Sequence, residues 1–284
     1  MTEDIRDASQ KNIKAVGLFS GGLDSALAAK LIQDQGIEVH VIYFSMPWGG
    51  GQAENAARLA DSLGVYFHVE KLGEDYLEML QQPKYGYGRS FNPCTDCHIF
   101  MIRKAAEYMK RIGAEFVFTG EVMGQRPKSQ RKESLRLVQK DSGIGDRLLR
   151  PLSAKFLELT LPERQGLVDR EKLLGIQGRS RQEQIALAEE RGIEGFSPPA
   201  GGCLLTEPHF GRRLEDMLKQ GYTDAGEITI LRWGRYFRLD EEHFVLLGRN
   251  QEENERLLEH AYPDDIVMKL AGDIPGPLLV LKGE

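Results

Sequence analysis

Several features that mark secreted and membrane proteins are missing from this sequence. Its 284 residues include only 3 cysteines. It has no run of about 18 apolar residues, so no membrane-spanning helix is expected. Residues 1–14 are polar and charged and lack the apolar core of a signal peptide. We therefore expect a cytoplasmic protein with reduced thiols and no membrane partner.

Excess positive charge is also missing. The net charge is −6, which argues against indiscriminate nucleic-acid binding but leaves room for a local basic surface. The sequence contains no internal repeat and no low-complexity segment. With 41% hydrophobic residues, the chain can bury a substantial core and is long enough for two domains.

Two common nucleotide-binding motifs are absent, the Walker loop and the pattern GxGxxG. The stretch 15–25 instead runs from a short apolar segment through Ser20-Gly21-Gly22 to an Ala/Leu-rich segment. This order predicts a buried strand, a glycine turn and a helix. Free amides and the dipole at a helix N-terminus favour an anion, so we expect a phosphate site unless the glycines merely form a turn.

Residues 20–25 have the order Ser-Gly-Gly-x-Asp-Ser, which resembles the signature of the PP-loop ATP pyrophosphatases. These enzymes adenylate a substrate and release pyrophosphate. The resemblance implies that the phosphates of ATP are bound by Ser20, Gly21, Gly22, Asp24 and Ser25. It also implies that Asp24 takes part in catalysis and helps to hold Mg²⁺, although an aspartate here could simply cap the helix.

Strands and helices alternate over the first 120 residues, which predicts a doubly wound parallel sheet. The predicted strands after the loop are 38–44, 66–69 and 116–118, and the helices between them are 55–64 and 101–113. Ligands of such sheets lie beyond the carboxyl ends of the strands. Four loops should meet there: 20–25, 44–48, the loop with Cys94 and Cys97, and 119–125.

The PP-loop resemblance also assigns roles within these loops and implies a fold like the adenine nucleotide alpha hydrolases. The backbone near Phe44 and Ser45 would hold adenine, and Thr119 and Gly120 would line the nucleotide pocket. For Phe44, a plain core position is an equally good interpretation.

The three cysteines allow several kinds of site. Cys94 and Cys97 form a Cys-x-x-Cys pair just before the predicted helix, and Cys203 lies far away after Gly201-Gly202. A zinc site would need a fourth ligand, such as His98 or His209. A redox-active pair and ordinary buried thiols are further options. Three thiolates also suit an iron–sulfur cluster with one open iron, or a persulfide relay.

A PP-loop domain with this cysteine arrangement resembles the tRNA thiouridine synthetases. In that family ATP adenylates a uridine carbonyl oxygen, and sulfur then displaces AMP. The resemblance implies ATP, Mg²⁺ and a [4Fe-4S] cluster held by Cys94, Cys97 and Cys203, which would also be catalytic. It implies tRNA as a partner, with sulfide or a sulfur-carrier protein as sulfur donor. The sequence does not determine the oligomeric state, and we expect a homodimer because an RNA enzyme with one catalytic crevice and one appended module often works as a dimer.

A basic stretch follows the predicted nucleotide loops. Residues 126–150 contain eight Lys/Arg and three acids, a local charge of +5. The best candidates for RNA contact are Arg126, Lys128 and Arg131, because phosphate backbones need such a surface. A solvated helix face would have the same composition.

The rest of the chain predicts a change of architecture. We expect domains at 1–155 (catalytic), 156–205 (a helical linker, strongly helical over 163–191) and 206–284 (a smaller α+β domain). The last would contain helices 210–220 and 252–261 and strands 227–232, 235–239, 244–247 and 278–281.

In the C-terminal domain the order Arg-Tyr-Phe-Arg-Leu at 235–239, followed by Leu-Gly-Arg-Asn-Gln-Glu-Glu-Asn at 247–254, resembles an RNA-binding module of ribosome-quality-control proteins. This resemblance would direct Arg235, Arg238, Arg249 and Asn250 towards RNA. Gly248-Arg249-Asn250 could equally be a helix-capping turn.

The predicted function is ATP-dependent thiolation of a tRNA uridine. Three alternatives are a cluster-free persulfide enzyme, an ATP pyrophosphatase acting on a small molecule, and an adaptor that binds ATP and RNA without turnover.

Overall fold

The structure is a computed structural model that describes residues 13–49, 53–126, 129–197, 203–272 and 274–283. One compact unit comprises the described residues of Met1–Phe44, Gln52–Glu70 and Cys97–Pro199. A second comprises those of Ser45–Gly51, Lys71–Asp96 and Ala200–Glu284. The units alternate along the chain, and the domain boundaries given above stay a prediction. None of the described helices is both long enough and apolar enough to cross a bilayer.

The first unit is built on a five-stranded sheet with the order β3-β2-β1-β4-β5. β1 pairs in parallel with both β2 and β4, and β4 pairs in parallel with β5. The expected doubly wound α/β fold is confirmed. The strands are β1 (Lys14–Leu18), β2 (Glu38–Ser45), β3 (Tyr66–Lys71), β4 (Phe116–Thr119) and β5 (Leu148–Leu149).

Helices follow the strands as the alternating pattern predicts. The first seven are α1 (Leu23–Gln33), α2 (Ala53–Ser62), α3 (Glu74–Gln81), α4 (Cys94–Ile112), α5 (Lys132–Asp141), α6 (Leu161–Arg164) and α7 (Gln182–Glu190). Short 3-10 turns occur at Gly145–Arg147, Ala154–Phe156 and Arg170–Lys172.

Small residues allow the central elements to pack closely. A Cβ atom on Gly17 of β1 would lie 2.3 Å from the ring of Phe118, so glycine leaves the space that this buried ring fills. Helix α1 packs against β1 and β4 through alanines and leucines that are almost fully buried. The central position of β1 in the sheet therefore fixes where the loop before α1 emerges.

The second unit contains an antiparallel sheet with the order β6-β7-β9-β8, and the expected smaller α+β region is confirmed. The strands are β6 (Arg235–Arg238), β7 (Phe244–Leu247), β8 (Ile266–Met268) and β9 (Leu279–Lys282). The remaining helices are α8 (Pro208–Lys219), α9 (Ala225–Thr229) and α10 (Gln251–Glu259), with 3-10 turns at Leu204–Thr206 and Ile230–Arg232.

Three local predictions were wrong. Helix α4 begins at Cys94 rather than 101, so the Cys-x-x-Cys pair lies inside its first turn, where the acidic Asp96 complements the helix dipole. Within 163–191 most of the chain is not α-helical, because Gly166 and Gly178 adopt positive φ angles of 69° and 89°. Residues 227–232 form helical turns instead of a strand, since the Asp224 side chain caps α9.

A buried carboxylate follows β4. Glu121 Oε2 accepts hydrogen bonds from Arg150 Nε at 2.9 Å and from the Thr119 hydroxyl at 3.1 Å, and His98 Nδ1 lies 2.8 Å from Oε1. Burial alone would raise the pKa of Glu121. The charges of Arg150 and His98 and their hydrogen bonds outweigh that effect and hold this pKa well below its usual range.

Arg150 links this carboxylate to helix α5. Its Nη1 donates to Gln139 Oε1 at 3.1 Å, and its Nη2 donates to the Leu135 carbonyl at 3.1 Å. The guanidinium is 1% exposed. A buried ion pair with this many hydrogen bonds fixes the end of β4 against α5 and β5, because removing either charge would strand the other away from water.

We predict that Arg150→Met lowers the free energy of unfolding at neutral pH by about 3–5 kcal/mol, because it leaves the Glu121 carboxylate buried without its main counter-charge. Urea unfolding measures the loss. Arg136→Met is the matched control on α5. Its ion pair with Glu158 is exposed, so it should cost only about 0–1 kcal/mol.

The pH dependence of the free energy of unfolding follows from the direction in which the pKa of Glu121 is shifted. Because the pKa of Glu121 is lower in the folded protein, this residue stabilises the fold at pH values above 4.5, its pKa in the unfolded chain. The stability is lost as the pH falls through the pKa of Glu121 in the folded protein. The Arg150→Met penalty should therefore shrink in acid, and adding Glu121→Gln should recover part of it. A penalty equal to that of Arg136→Met would show that the pair does not hold the fold.

Candidate functional site

The loop between β1 and α1 ends in a helix N-terminus that no side chain caps. Gly22 occupies the N-cap position with extended backbone angles, and no side-chain cap hydrogen bond is made there. The first-turn amides of α1 are thus left for another acceptor. Such an end attracts anions through its N–H groups and its dipole.

Glycine is required at position 21 for two separate reasons. Its φ angle of +74° is one that residues with a side chain rarely adopt. A Cβ atom there would also lie 2.9 Å from the Cβ of Ala56 in α2. The loop is therefore held tightly between β1 and α2.

The two serines of the loop differ in what they can offer a ligand. The buried Ser25 hydroxyl donates to the Gly22 carbonyl at 2.8 Å and so braces the turn. Ser20 is exposed, with its Oγ 3.4 Å from both the Ser25 Oγ and the Gly22 nitrogen. Of the two hydroxyls, that of Ser20 is better placed to bind a phosphate.

Asp24 does not cap the helix. Its Oδ2 accepts hydrogen bonds from Gln125 Nε2 at 2.9 Å and from Arg181 Nη2 at 3.3 Å. Its Oδ1 is buried and has no hydrogen-bond partner among the described residues. An unsatisfied carboxylate oxygen is costly to bury, so this atom marks a position where a cation or a donor belongs.

Gly120 brings the end of β4 against the start of α1. A Cβ atom on Gly120 would lie 2.7 Å from the backbone of Asp24 and of Ser25, so only glycine fits. Thr119 pairs in register with Leu18 of β1, and its buried hydroxyl donates to Glu121. The structure therefore places Thr119 and Gly120 beside the loop 20–25, the candidate phosphate loop, while their contact with a nucleotide stays a prediction.

Two segments that the sequence analysis did not connect to the loop lie against it. The Ser197 N–H donates to the Gly21 carbonyl at 2.9 Å. The Gly178 N–H donates to the Met123 carbonyl at 2.8 Å, just before Gln125. Sequence reasoning treated this part of the chain as a linker and missed both contacts, along with Gln125 and Arg181. The sequence signal that could have pointed to Arg181 is the order Arg-Ser-Arg at 179–181.

Phe44 and Ser45, the predicted adenine-binding pair, end strand β2. Phe44 is 9% exposed, as a core position would be. The Ser45 carbonyl already accepts a hydrogen bond from the Leu72 N–H at 2.9 Å. Adenine binding by this pair stays a prediction.

Cys94 and Cys97 lie one helical turn apart at the start of α4. Cys94 is half-buried, with its sulfur 3.4 Å from Asn92 Nδ2, and Cys97 is buried. Cys203 is exposed and follows residues 198–202, which lie outside the described residues. Within the described ranges, no three His, Cys, Asp or Glu side chains are grouped closely enough to hold a metal ion.

The basic stretch forms part of the same unit as the phosphate loop. Arg126 directly follows Gln125 and is exposed, and Arg131 is exposed at the N-cap of α5. Lys128 lies outside the described residues. Arg126 and Arg131 remain candidates for RNA contact.

The sequence is similar to those of several known proteins. A family model described as "Thiamine biosynthesis protein (ThiI)" matches residues 10–155. A "tRNA-specific 2-thiouridylase MnmA" from Sulfurimonas denitrificans is 35% identical over 112 residues, covering 36% of this chain and 32% of that protein. A "Probable tRNA sulfurtransferase" from Thermococcus kodakarensis is 30% identical over 145 residues, covering 49% and 36%. The match thus spans about a third of these relatives' length.

Among solved structures, the chain is similar to the "4-thiouridine synthetase - RNA complex with bound ATP". The TM-score is 0.49 and the identity 21%, with 76% of this chain and 53% of that chain covered. The family model, by contrast, covers more than half of the sequence and includes the phosphate loop, both cysteines of α4 and Gly120. The chain therefore belongs to the ThiI family.

Proposed function

We propose that this protein is an ATP-dependent tRNA sulfurtransferase that replaces a uridine carbonyl oxygen with sulfur. The observation that carries the proposal is the loop 20–25, an uncapped helix N-terminus beside a carboxylate with one unsatisfied oxygen. Membership of the ThiI family and relatives named as thiouridylase and sulfurtransferase support the choice of reaction.

The reaction needs ATP because a carbonyl oxygen is a poor leaving group. The uridine oxygen attacks the α-phosphorus, and pyrophosphate leaves with the electrons of the broken bond. A sulfur nucleophile then attacks the activated carbon, and AMP leaves with the original oxygen. The loop amides and Ser20 would bind the phosphates, where they stabilise charge that develops on pyrophosphate.

Mg²⁺ fits the residues present. The Asp24 Oδ1 is an oxygen ligand of the kind that Mg²⁺ prefers, and it is buried without a hydrogen-bond partner in the part of the chain that the structure describes. A bound Mg²⁺ would neutralise phosphate charge. Arg181 and Gln125 hold the other carboxylate oxygen and so orient Oδ1.

The source of sulfur is the finer part of the proposal. Cys94 and Cys97 provide two thiols on one helical turn, a donor pair that suits a [4Fe-4S] cluster. Cys203 would be the third ligand, although the described residues contain no group of three ligands. Such a cluster would supply an iron site for hydrosulfide. Sulfide would be the donor to such a cluster. A persulfide on one of these cysteines is the alternative, and its outer sulfur would come from a sulfur-carrier protein that already holds a persulfide, which leaves as the thiol.

Placing tRNA at this unit is supported by the exposed Arg126 and Arg131. Both follow the loop that holds Asp24 through Gln125. A cytoplasmic location and a homodimer complete the proposal.

The first test is ATP–pyrophosphate exchange in the presence of unmodified tRNA. Asp24→Asn should lower the exchange rate by at least about tenfold, because the amide cannot supply the anionic oxygen that Mg²⁺ needs. Asp61→Asn is the matched control, since Asp61 is exposed on α2 of the same unit.

Exchange stimulated by a small metabolite and not by tRNA would contradict the tRNA proposal. Exchange that is equally fast in Asp24→Asn would remove Asp24 from the site.

A second test addresses the cysteines. Protein purified without oxygen should contain iron and sulfide and show broad visible absorbance, and Cys94→Ser or Cys97→Ser should lose the iron. Thr95→Ala, in the same helical turn, should keep it. Cys203→Ala should retain ATP–pyrophosphate exchange and lose thiolation, because adenylation does not use the sulfur.

Colourless protein with stoichiometric zinc would exclude the cluster. Iron-free protein in which Cys203→Ala still loses thiolation would favour the persulfide route. Unchanged thiolation in Cys203→Ala would make that cysteine structural.

A further inference from the structure

A cavity of about 370 Å³ lies in the second unit between helix α8 and strand β6. It is lined by His209, Arg212, Arg213, Asp216, Tyr236 and Arg238. Four of these six side chains are basic and one is acidic. We name this cavity the α8–β6 groove.

Both walls of the groove follow from regular spacing. On α8 the lining positions 209, 212, 213 and 216 recur at helical intervals and form one face. The opposite face of α8 carries Phe210, Leu214 and Met217, which are buried. On β6, Tyr236 and Arg238 share a face, whereas Arg235 points to the other face because strand residues alternate.

The single carboxylate in the groove is already occupied. Asp216 accepts a hydrogen bond from the Tyr236 hydroxyl, and its Oδ1 accepts one from Arg238 Nη2 at 2.8 Å. Burial, reinforced by Asp216, raises the pKa of Tyr236, so its hydroxyl stays a donor. Asp216 therefore balances Arg238 and leaves the charge of Arg212 and Arg213 uncompensated within the groove.

Arg213 is held by backbone rather than by an acid. Its Nη1 lies 3.2 Å from the Gly234 carbonyl and 3.4 Å from the Leu231 carbonyl. Burial and then the charge of Arg249 lower the pKa of Arg213, and the acids Glu207 and Glu253 oppose this only in part. A partly desolvated cation next to other cations is stabilised when an anion joins it.

Arg212 lies at the exposed side of the groove. Within the described part of the chain, it makes no hydrogen bond or ion pair. Guanidinium groups bind phosphate oxygens through paired N–H bonds, so Arg212 and Arg213 together match one phosphate group.

We propose that the α8–β6 groove binds a backbone phosphate of RNA. The choice of RNA rests on the proposed function, in which tRNA is the substrate. The groove would hold the substrate through its backbone and carry no sequence preference, because phosphate contacts position a nucleic acid without identifying its bases.

The experiment uses the full chain and an unmodified tRNA transcript, with affinity measured by fluorescence anisotropy over a series of salt concentrations. Arg212→Ala should weaken binding roughly three- to tenfold and reduce the slope of log affinity against log salt by about 1, as expected for one lost phosphate contact. Arg212→Lys keeps the charge and should keep most of the slope.

Arg256→Ala is the matched control, since it removes the same charge from the exposed surface of α10 and Arg256 is not among the residues that line the groove. It should leave affinity and slope close to wild type. ATP binding without RNA should be unchanged in both variants, because the phosphate loop is intact.

Wild-type protein that binds tRNA, with Arg212→Ala equal to it in affinity and slope, would overturn this inference and leave the proposed function standing. Wild-type protein that does not bind tRNA would overturn both. Inorganic phosphate and AMP are tested in parallel. Arg212-dependent binding of either, with tRNA binding unaffected by the variant, would assign the groove to a free anion and overturn the RNA assignment.

Discussion

The position of helix α1 in the first unit depends on the backbone contact between Gly120 and the start of this helix. With a Cβ atom 2.7 Å from the backbone of Asp24, no other residue fits at position 120 without moving the helix. The direction of the first-turn amides depends on this contact, and so does the position of the Asp24 carboxylate. The buried pair of Glu121 and Arg150 holds the chain that follows Gly120. An interior ion pair thus supports the geometry of the candidate anion site.

Asp24 belongs to a short loop, but its surroundings are formed by residues that are far away in the sequence. Its partners Gln125 and Arg181 are 101 and 157 residues away along the chain. Both donate to the same oxygen and so fix the carboxylate, and the other oxygen has no hydrogen-bond partner among the residues that the structure describes. An isolated loop could bind an anion through its amides alone. The additional partners give this loop a carboxylate of defined orientation, which is what cation-assisted cleavage of ATP requires.

The sequence predicted the elements whose structure depends on the pattern of neighbouring residues. The strand–loop–helix around Ser20 and the parallel sheet follow from short apolar runs and glycine positions. Arg181 was missed because its partner is fixed only by tertiary folding. Residues 227–232 were predicted to form a strand, and their Ile and Thr residues are compatible with one, but the Asp224 cap favours helical turns. Asn250 caps α10, so the capping-turn interpretation holds for that residue.

The formal charge of a stretch of sequence does not predict how much positive charge the folded protein leaves available to bind RNA. The stretch 126–150 has a formal charge of +5. Arg150 forms an ion pair with the buried Glu121, and Arg136 forms one with Glu158. In the second unit the arginines of the α8–β6 groove come from a helix and a strand, so they do not stand out as one basic stretch of the sequence. Its cations are concentrated because folding pairs the one acid, Asp216, with Arg238 and leaves Arg212 and Arg213 facing the same space. An acidic chain can therefore bind a polyanion at positions that neither net charge nor sequence windows reveal.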